Sequence, residues 1–212
     1  MSRTLFTSRF GGDLTQASPR EILKSDLSLS SLHFMRQTHS NIVQIVDEGG
    51  ENFSCDALVT TSRGVGLAAL AADCMPITFT SVGVIGVAHV GRVGVINGIV
   101  KSVVRTMQGL GAQVISATIG PSICANCYEV SEEMYREVVL QIPETATTPG
   151  RRSLNLQGGV SAQLERLEVK VHNVEICTFE RHDYYSYRGG DATARQLGMI
   201  SQLIASMRSP KI

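Results

Sequence analysis

The 212-residue chain has no net charge: 19 Lys+Arg stand against 19 Asp+Glu. It has no tryptophan, and charged residues are only 18% of it, below the roughly 25% usual for soluble proteins. The missing basic excess argues against a nucleic-acid partner bound by phosphate neutralisation. The low charge and the abundant Val, Ile and Leu argue against disorder. No apolar run reaches the length that spans a bilayer, the longest weakly polar stretch being Val82 to Val90. The N-terminal MSRTLFTSRFGG has arginines but lacks the apolar centre of a signal peptide. No internal repeat and no low-complexity linker divides the chain. One soluble, cytoplasmic domain over 1–212 is therefore expected, with length enough to bury a sizeable core.

Cysteine is present in an odd number. The five (55, 74, 124, 127 and 177) do not pair into a disulfide framework. They suit a reducing compartment, where thiols stay free to bind metal or react. There are five histidines as well.

The middle of the chain is dense in strands. Asp56–Thr60, Val65–Ala71, Pro76–Thr80 and Val84–Val90 are short apolar runs bounded by Gly, Pro, Asp or Ser. Near-continuous apolar runs suit strands covered on both faces. Ile42–Val46 is also strand-like. Val95 to Leu110 has apolar residues at helical spacing and predicts one helix closed by Gly109 and Gly111. Val114–Ile119 reads as a strand. Glu132–Ile142 reads as a helix with Ser131 as N-cap, and Ser161–Leu167 as a shorter helix. Val174–Phe179 and Met199–Ala205 are the last strand candidates, the final one readable also as helix. The Ser-rich segment Ser25–Ser31 and its neighbour Leu32 carry leucines able to pack. Pro143–Arg152 reads as a surface loop. The expected architecture is α/β of the α+β type: one domain, a mixed β-sheet and packed helices.

Three residues stand where strands place side chains for chemistry. His39 lies in RQTHSN, ahead of a strand. Cys74 lies in AADCMP, in the turn between two strands. His89 ends the next strand, in VAHVGRVG. Two imidazoles and one thiolate form a catalytic type of zinc set, with the fourth tetrahedral position open. The same donors also suit copper. A Cys74–His89 nucleophile pair is an equal reading of the spacing, and a buried hydrophobic cysteine beside an ordinary surface histidine is the bland one. Cys124-x-x-Cys127 lacks the second matched pair of a structural zinc site, so unpaired loop thiols are expected there. Gly91-Arg92-Val93-Gly94 suits a tight strand-to-helix turn. Arg9, Arg36, Arg188 and Arg195 fall in polar, loop-like places, where arginine either clamps phosphate or is simply solvated.

The ordered series FTSRFGG, QTHS, DALVT, ADCMPI, AHVGRVG, IGPSI…CYEV and CT…YSYRGGD…TAR resembles the YfiH-like family, also called the laccase-domain or multicopper polyphenol oxidoreductase family and the peptidoglycan editing factors. The likeness runs from Phe6 to about Ala205. It implies a single α/β domain with a mixed sheet, similar to that of a toxin deamidase. It implies Zn²⁺ (or Cu²⁺) on His39, Cys74 and His89. It further implies a purine nucleoside phosphorylase acting on adenosine, inosine, guanosine and methylthioadenosine, with adenosine deaminase activity. Phenol oxidation with copper, peptidoglycan-precursor editing and a metal-free Cys–His amidase are the alternatives it carries. On that basis Asp73, Cys74 and His89 are candidate catalytic groups. Asp73 reads equally as a turn residue satisfying a nearby N–H. Arg9, Arg36, Arg92 and Arg188 are candidate phosphate ligands, and Cys127 a candidate pocket neighbour. The partners expected are a small nucleoside and phosphate, with neither nucleic acid nor membrane. Two departures stand out. The family's AH-x-G-W-R-G is AHVGRVG here, without the Trp. Its R-R-D with T-G-R is Arg188-Gly-Gly-Asp191 with Thr193-Ala-Arg195, one arginine fewer.

Overall fold

A computed structural model describes residues 2–46, 53–148 and 150–202. The strands are β1 (Ser2–Phe6), β2 (Ser31–His33), β3 (Met35–Arg36), β4 (Val43–Ile45), β5 (Phe53–Ser54), β6 (Ala57–Thr60), β7 (Val65–Ala71), β8 (Met75–Thr80), β9 (Ile85–Val90), β10 (Ser116–Ile119), β11 (Lys170–Asn173) and β12 (Gln196–Gln202). The helices are α1 (Ala17–Asp26), α2 (Arg92–Asn97), α3 (Ile99–Gly109), α4 (Glu132–Gln141) and α5 (Leu156–Glu165). Strands β1-β12-β7-β2 make one sheet, β11-β10-β8-β9-β6-β4 a second, and β3-β5 a short pair. Parallel and antiparallel pairs occur together in both larger sheets, so the expected mixed α/β domain is what forms. No described helix is long and apolar enough to cross a membrane.

The apolar runs form strands covered on both sides because neighbouring residues point to opposite faces. In β6 and β9, Ala57, Val59, Ala88 and Val90 turn to the helices and join Ile77 and Phe79 of β8 in a cluster with Val95, Ile99, Val100 and Val103. Leu58, Ile85 and Val87 turn the other way and meet Leu67, Ala69 and Ile200 of the four-stranded sheet. The six-stranded sheet is thus the middle layer. Gly198 of β12 lets the two sheets close: a Cβ there would stand 2.6 Å from the Pro76 Cβ. Leu27, Leu29 and Leu32 pack on the outer side of the four-stranded sheet with Leu14, Ala68, Leu197 and Met199, as the leucines of that segment promised.

Several boundaries differ from expectation, each for a local reason. The single helix expected over Val95–Leu110 is two, starting at Arg92 and broken at Gly98. Gly98 takes φ 75° and donates its N–H to the Gly94 carbonyl, closing α2. Helix α5 starts earlier than Ser161, where Asn155 caps it by accepting from the Gly158 N–H at 2.9 Å. The Gly158-Gly159 pair hides this helix from a propensity reading, yet Gly159 allows an approach in which a Cβ would meet the Thr145 methyl at 2.6 Å. Strand β10 begins at Ser116, since Val114 is exposed. Residues 174–179 are not a strand. The Asn173 carboxamide accepts from the Glu175 N–H at 2.9 Å and Glu175 takes φ 56°, which ends β11. The Val174 N–H still bonds the Ile119 carbonyl, and beyond it the Ser122–Cys177 bridge continues the pairing. The last candidate is a strand, β12; residues 203–205 of Met199–Ala205 lie outside the described residues. Ser131 does cap α4, accepting from the Met134 N–H. Strand β1 and helix α1 have no counterpart among the expected elements.

Candidate metal centre

Two loops and the end of strand β9 build the site. His39 lies in the turn after β3. Gln37 anchors this turn by exchanging hydrogen bonds with the Leu70 backbone (2.9 and 2.8 Å). Thr38 and Ser40 then close around one oxygen of Asp56. Oδ2 accepts both backbone N–H groups (3.0 and 2.6 Å) and both hydroxyls (3.2 and 2.8 Å). His39 takes φ 57° at the apex of this wrap and stays exposed.

His89 is buried near the end of β9. Its Nδ1 lies 2.9 Å from the other Asp56 oxygen, Oδ1. A carboxylate can only accept, so Nδ1 carries the proton and Nε2 is left for the site. His39 and His89 meet edge to face, their ring centroids 4.9 Å apart. Cys74 enters from the turn between β7 and β8. One ligand atom each from His39, Cys74 and His89 lies within 4.8 Å of the others. Gly91 leaves room for the sulfur.

Electrostatics prepare this thiol. Burial alone would raise the Cys74 pKa, but hydrogen bonds from His39 and His89 and their charges outweigh it and hold it at about 6. Burial also opposes charge on His89, yet Asp56 and Cys74 raise it to about 9. Asp56 is fully buried, and its five donors outweigh that burial, holding it well below the usual carboxylate range.

Asp73, beside Cys74, faces elsewhere. Its Oδ1 accepts the Thr178 and Ser186 hydroxyls, each at 2.7 Å, and its Oδ2 accepts the Arg188 N–H at 2.7 Å. It takes φ 82°. This is the geometry of a turn residue satisfying neighbouring donors, here from a segment more than a hundred residues away. Arg92 at the start of α2 lies near enough to Tyr128 for its charge to oppose the rise that burial imposes on the Tyr128 pKa, and the Arg188 guanidinium lies over the Tyr128 ring, 5.2 Å from its centroid. Those two arginines therefore share a neighbourhood that also feels the Cys74 charge. Arg9 pairs with Asp191 and covers the Tyr185 ring. Arg36 turns to the Ser54 hydroxyl, 2.6 Å away. Cys127 gathers instead with Cys124, Cys177 and Glu180.

Asp56 and Tyr128 escaped the sequence reading. Asp56 was visible only as the first residue of DALVT, at the head of a strand, where an aspartate usually just ends a turn. Tyr128 was visible only as part of the CYEV motif.

The profile of the multi-copper polyphenol oxidoreductase laccase family matches residues 14–203. The chain belongs to that family. A purine nucleoside phosphorylase of Streptomyces griseus, ORF3, is 40% identical over 194 residues, covering 85% of this chain and 79% of that protein. One from Corynebacterium glutamicum is 39% identical over 197 residues, covering 87% of this chain and 80% of its own. An adenosine deaminase, RL5, from an unknown prokaryotic organism is 32% identical over 200 residues, covering 82% of this chain and 73% of that protein. Among solved structures, Neisseria meningitidis protein NMB0706 superposes with a TM-score of 0.81 at 25% identity, over 96% of this chain and 95% of that one. The Bacillus licheniformis protein YfiH has the same fold, with a TM-score of 0.82 at 22% identity, over 95% and 92% of the two chains. Likeness to these phosphorylases over most of its length supports, for this laccase-domain chain, an enzyme of the nucleoside-processing kind acting on small molecules.

Proposed function

We propose that the chain is a zinc-dependent purine nucleoside phosphorylase with adenosine deamination as a second activity. The observation that carries the metal part is the convergence of a thiolate-prone Cys74 with two imidazoles, one of them fixed by a buried carboxylate. This donor set fits zinc: one sulfur and two nitrogens, with a supporting carboxylate behind His89 and a fourth position left over. Zinc, when bound, supplies Lewis-acid polarisation of a substrate oxygen or of water. The nucleoside part is supported by the phosphorylase relatives.

The chain's own residues take the following roles. Asp56 keeps the His89 proton on Nδ1 and holds His39 at the apex of its turn. Arg92 and Arg188, both neighbours of Tyr128, would hold a phosphate dianion. In phosphorolysis a phosphate oxygen forms the bond to ribose C1′ while the C1′–N9 bond breaks, releasing free purine and ribose 1-phosphate. In deamination water replaces the 6-amino group and ammonia leaves. Asp73 is a positioning residue that ties the Arg188 segment to the Cys74 turn. Adenosine, inosine, guanosine and methylthioadenosine are the substrates to try.

One observation favours a second reading. Asp56, His89 and Cys74 stand in the order of an acid–imidazole–thiolate array, which without metal is a nucleophile for amide hydrolysis or deamidation, including editing of a peptidoglycan precursor. Metal content by mass spectrometry, followed by assays with adenosine and phosphate, separates the readings. The phosphorylase predicts ribose 1-phosphate and adenine, with inosine from the side reaction, all lost with chelator and in Cys74→Ala. Full phosphorolysis by metal-free Cys74→Ala overturns it. Amidase activity that resists chelator but falls to a thiol alkylator supports the second reading. Phenol oxidation only with copper supports an oxidase.

A further inference from the structure

Cys124-x-x-Cys127 was expected to be two lone thiols, for want of a second pair. The fold supplies one of a different composition: Cys177-x-x-Glu180. Segment 122–128 and segment 176–180 lie side by side. The Ser122 N–H donates to the Ile176 carbonyl at 3.1 Å and the Thr178 N–H to the Ser122 carbonyl at 3.2 Å. Cys124 to Cys127 form a tight turn in which the Cys127 and Tyr128 N–H groups both donate to the Cys124 carbonyl at 3.1 Å. Such a turn points two thiols the same way. The Cys124 N–H donates to the Cys177 sulfur at 3.4 Å, which holds the two cysteines side by side. Glu180 Oε1 lies 3.2 Å from the Cys127 sulfur and 3.7 Å from the Cys124 sulfur. All four ligand atoms fall within 4.8 Å of one another. Zinc–sulfur bonds of about 2.3 Å require sulfur–sulfur edges of about 3.8 Å, so ligand atoms within 4.8 Å of one another need only small shifts to share one ion.

We propose that Cys124, Cys127, Cys177 and Glu180 form a second metal site, a closed structural one that takes a thiophilic divalent cation of the zinc type. It shares no residue with the His39–Cys74–His89 set. Three sulfurs and a carboxylate leave no position for substrate, so this ion works as a cross-link. It joins the segment carrying Tyr128 to the one that begins at Cys177 and runs through Thr178 to Arg188. Thiolate donors select zinc over magnesium or calcium, which want oxygen.

The test is metal content of the full chain, purified with reductant and zinc, by native and elemental mass spectrometry. Wild type is expected to hold two zinc ions. Cys74→Ala should keep one, held by the second set. Cys124→Ser and Glu180→Gln, both at less buried positions than Cys177, should lose or weaken that one while keeping the ion at His39, Cys74 and His89. Cobalt(II) loaded into Cys74→Ala should show intense thiolate charge-transfer absorption, and the double variant Cys74→Ala/Cys124→Ser should lose most of it. One zinc in wild type and none in Cys74→Ala overturns the proposal. So does a disulfide joining two of Cys124, Cys127 and Cys177, found by peptide mapping under those reducing conditions. Because the decisive variant lacks Cys74, failure here leaves the phosphorylase reading untouched, and failure of that reading leaves this one standing.

Discussion

A Cβ on Gly91 would stand 2.8 Å from the Cys74 sulfur and 3.3 Å from Cδ2 of His39. Gly91 has φ −94°, which any residue tolerates, so what the position requires is space and not backbone freedom. Gly91→Ala should leave the fold intact and push the sulfur away from the imidazoles. A loss of zinc affinity of about 10–100-fold is expected, the size seen when support of a metal ligand is disturbed. Competition with a chromophoric chelator measures it, and unchanged affinity would show that the sulfur does not bind.

Removing Asp56 should do more than weaken one bond. The carboxylate accepts from five donors, so Asp56→Ala strands several polar groups in a buried place. Destabilisation of about 3–5 kcal/mol is expected by denaturant titration, and Asp56→Asn should fall between the two.

Acid should act through the same residue. Its folded pKa is depressed, so its stabilisation is present above the unfolded carboxylate value of about 3.9 and is lost as pH falls toward the folded value. Thermal midpoints measured from pH 5 down to pH 2 should drop steeply in wild type and less in Asp56→Asn. Parallel curves would assign the acid limb to other carboxylates.

The Cys74 thiol, lowered from an ordinary value of 9.0 to about 6, should betray itself in metal-free protein. Its alkylation rate should rise with pH through a midpoint near 6, since the thiolate is the reactive form. Loss of either imidazole partner, as in His39→Ala, should shift that midpoint upward. Peptide mapping of iodoacetamide adducts separates Cys74 from Cys55, whose burial pushes its thiol up to about 11.

Asp73→Asn distinguishes positioning from proton transfer. The amide cannot accept from both the hydroxyls and the Arg188 N–H, so one buried contact worth about 1–3 kcal/mol is lost. The expected result is faster proteolysis within 178–188 and a raised KM for phosphate with kcat little changed. A collapse of kcat alone would make Asp73 a proton carrier.

The residues that converge at the first site were readable because turns and strand ends announce themselves. His39 sits just ahead of an apolar run, and Cys74 and His89 sit where one stops. Asp56 also sits at a strand end, but its meaning lies in a contact with a side chain 33 residues on, and pairing between β6 and β9 creates that contact. Cys177 and Glu180 were opaque for another reason. The matching half of a Cys-x-x-Cys turn is ordinarily a second pair of cysteines, and the strand that the sequence predicts over Val174–Phe179 would point neighbouring residues apart. The fold class followed from the central strands, whose apolar runs are unbroken. The edges were harder: β1 carries polar residues and has no run to see, and the start of α5 is masked by its glycines.

Strand β12 lies between β1 and β7, and this sets a timetable. The hairpin β8–β9, which carries His89 and follows Cys74, can form from neighbouring sequence, but the four-stranded sheet behind it is completed only by residues 196–202. Contacts this distant along the chain slow folding. During synthesis β1 and β7 must therefore wait with open edges until nearly all of the matched domain has left the ribosome. Shortening the chain by even that one strand should cost the whole sheet, leaving a chaperone client in place of a trimmed enzyme.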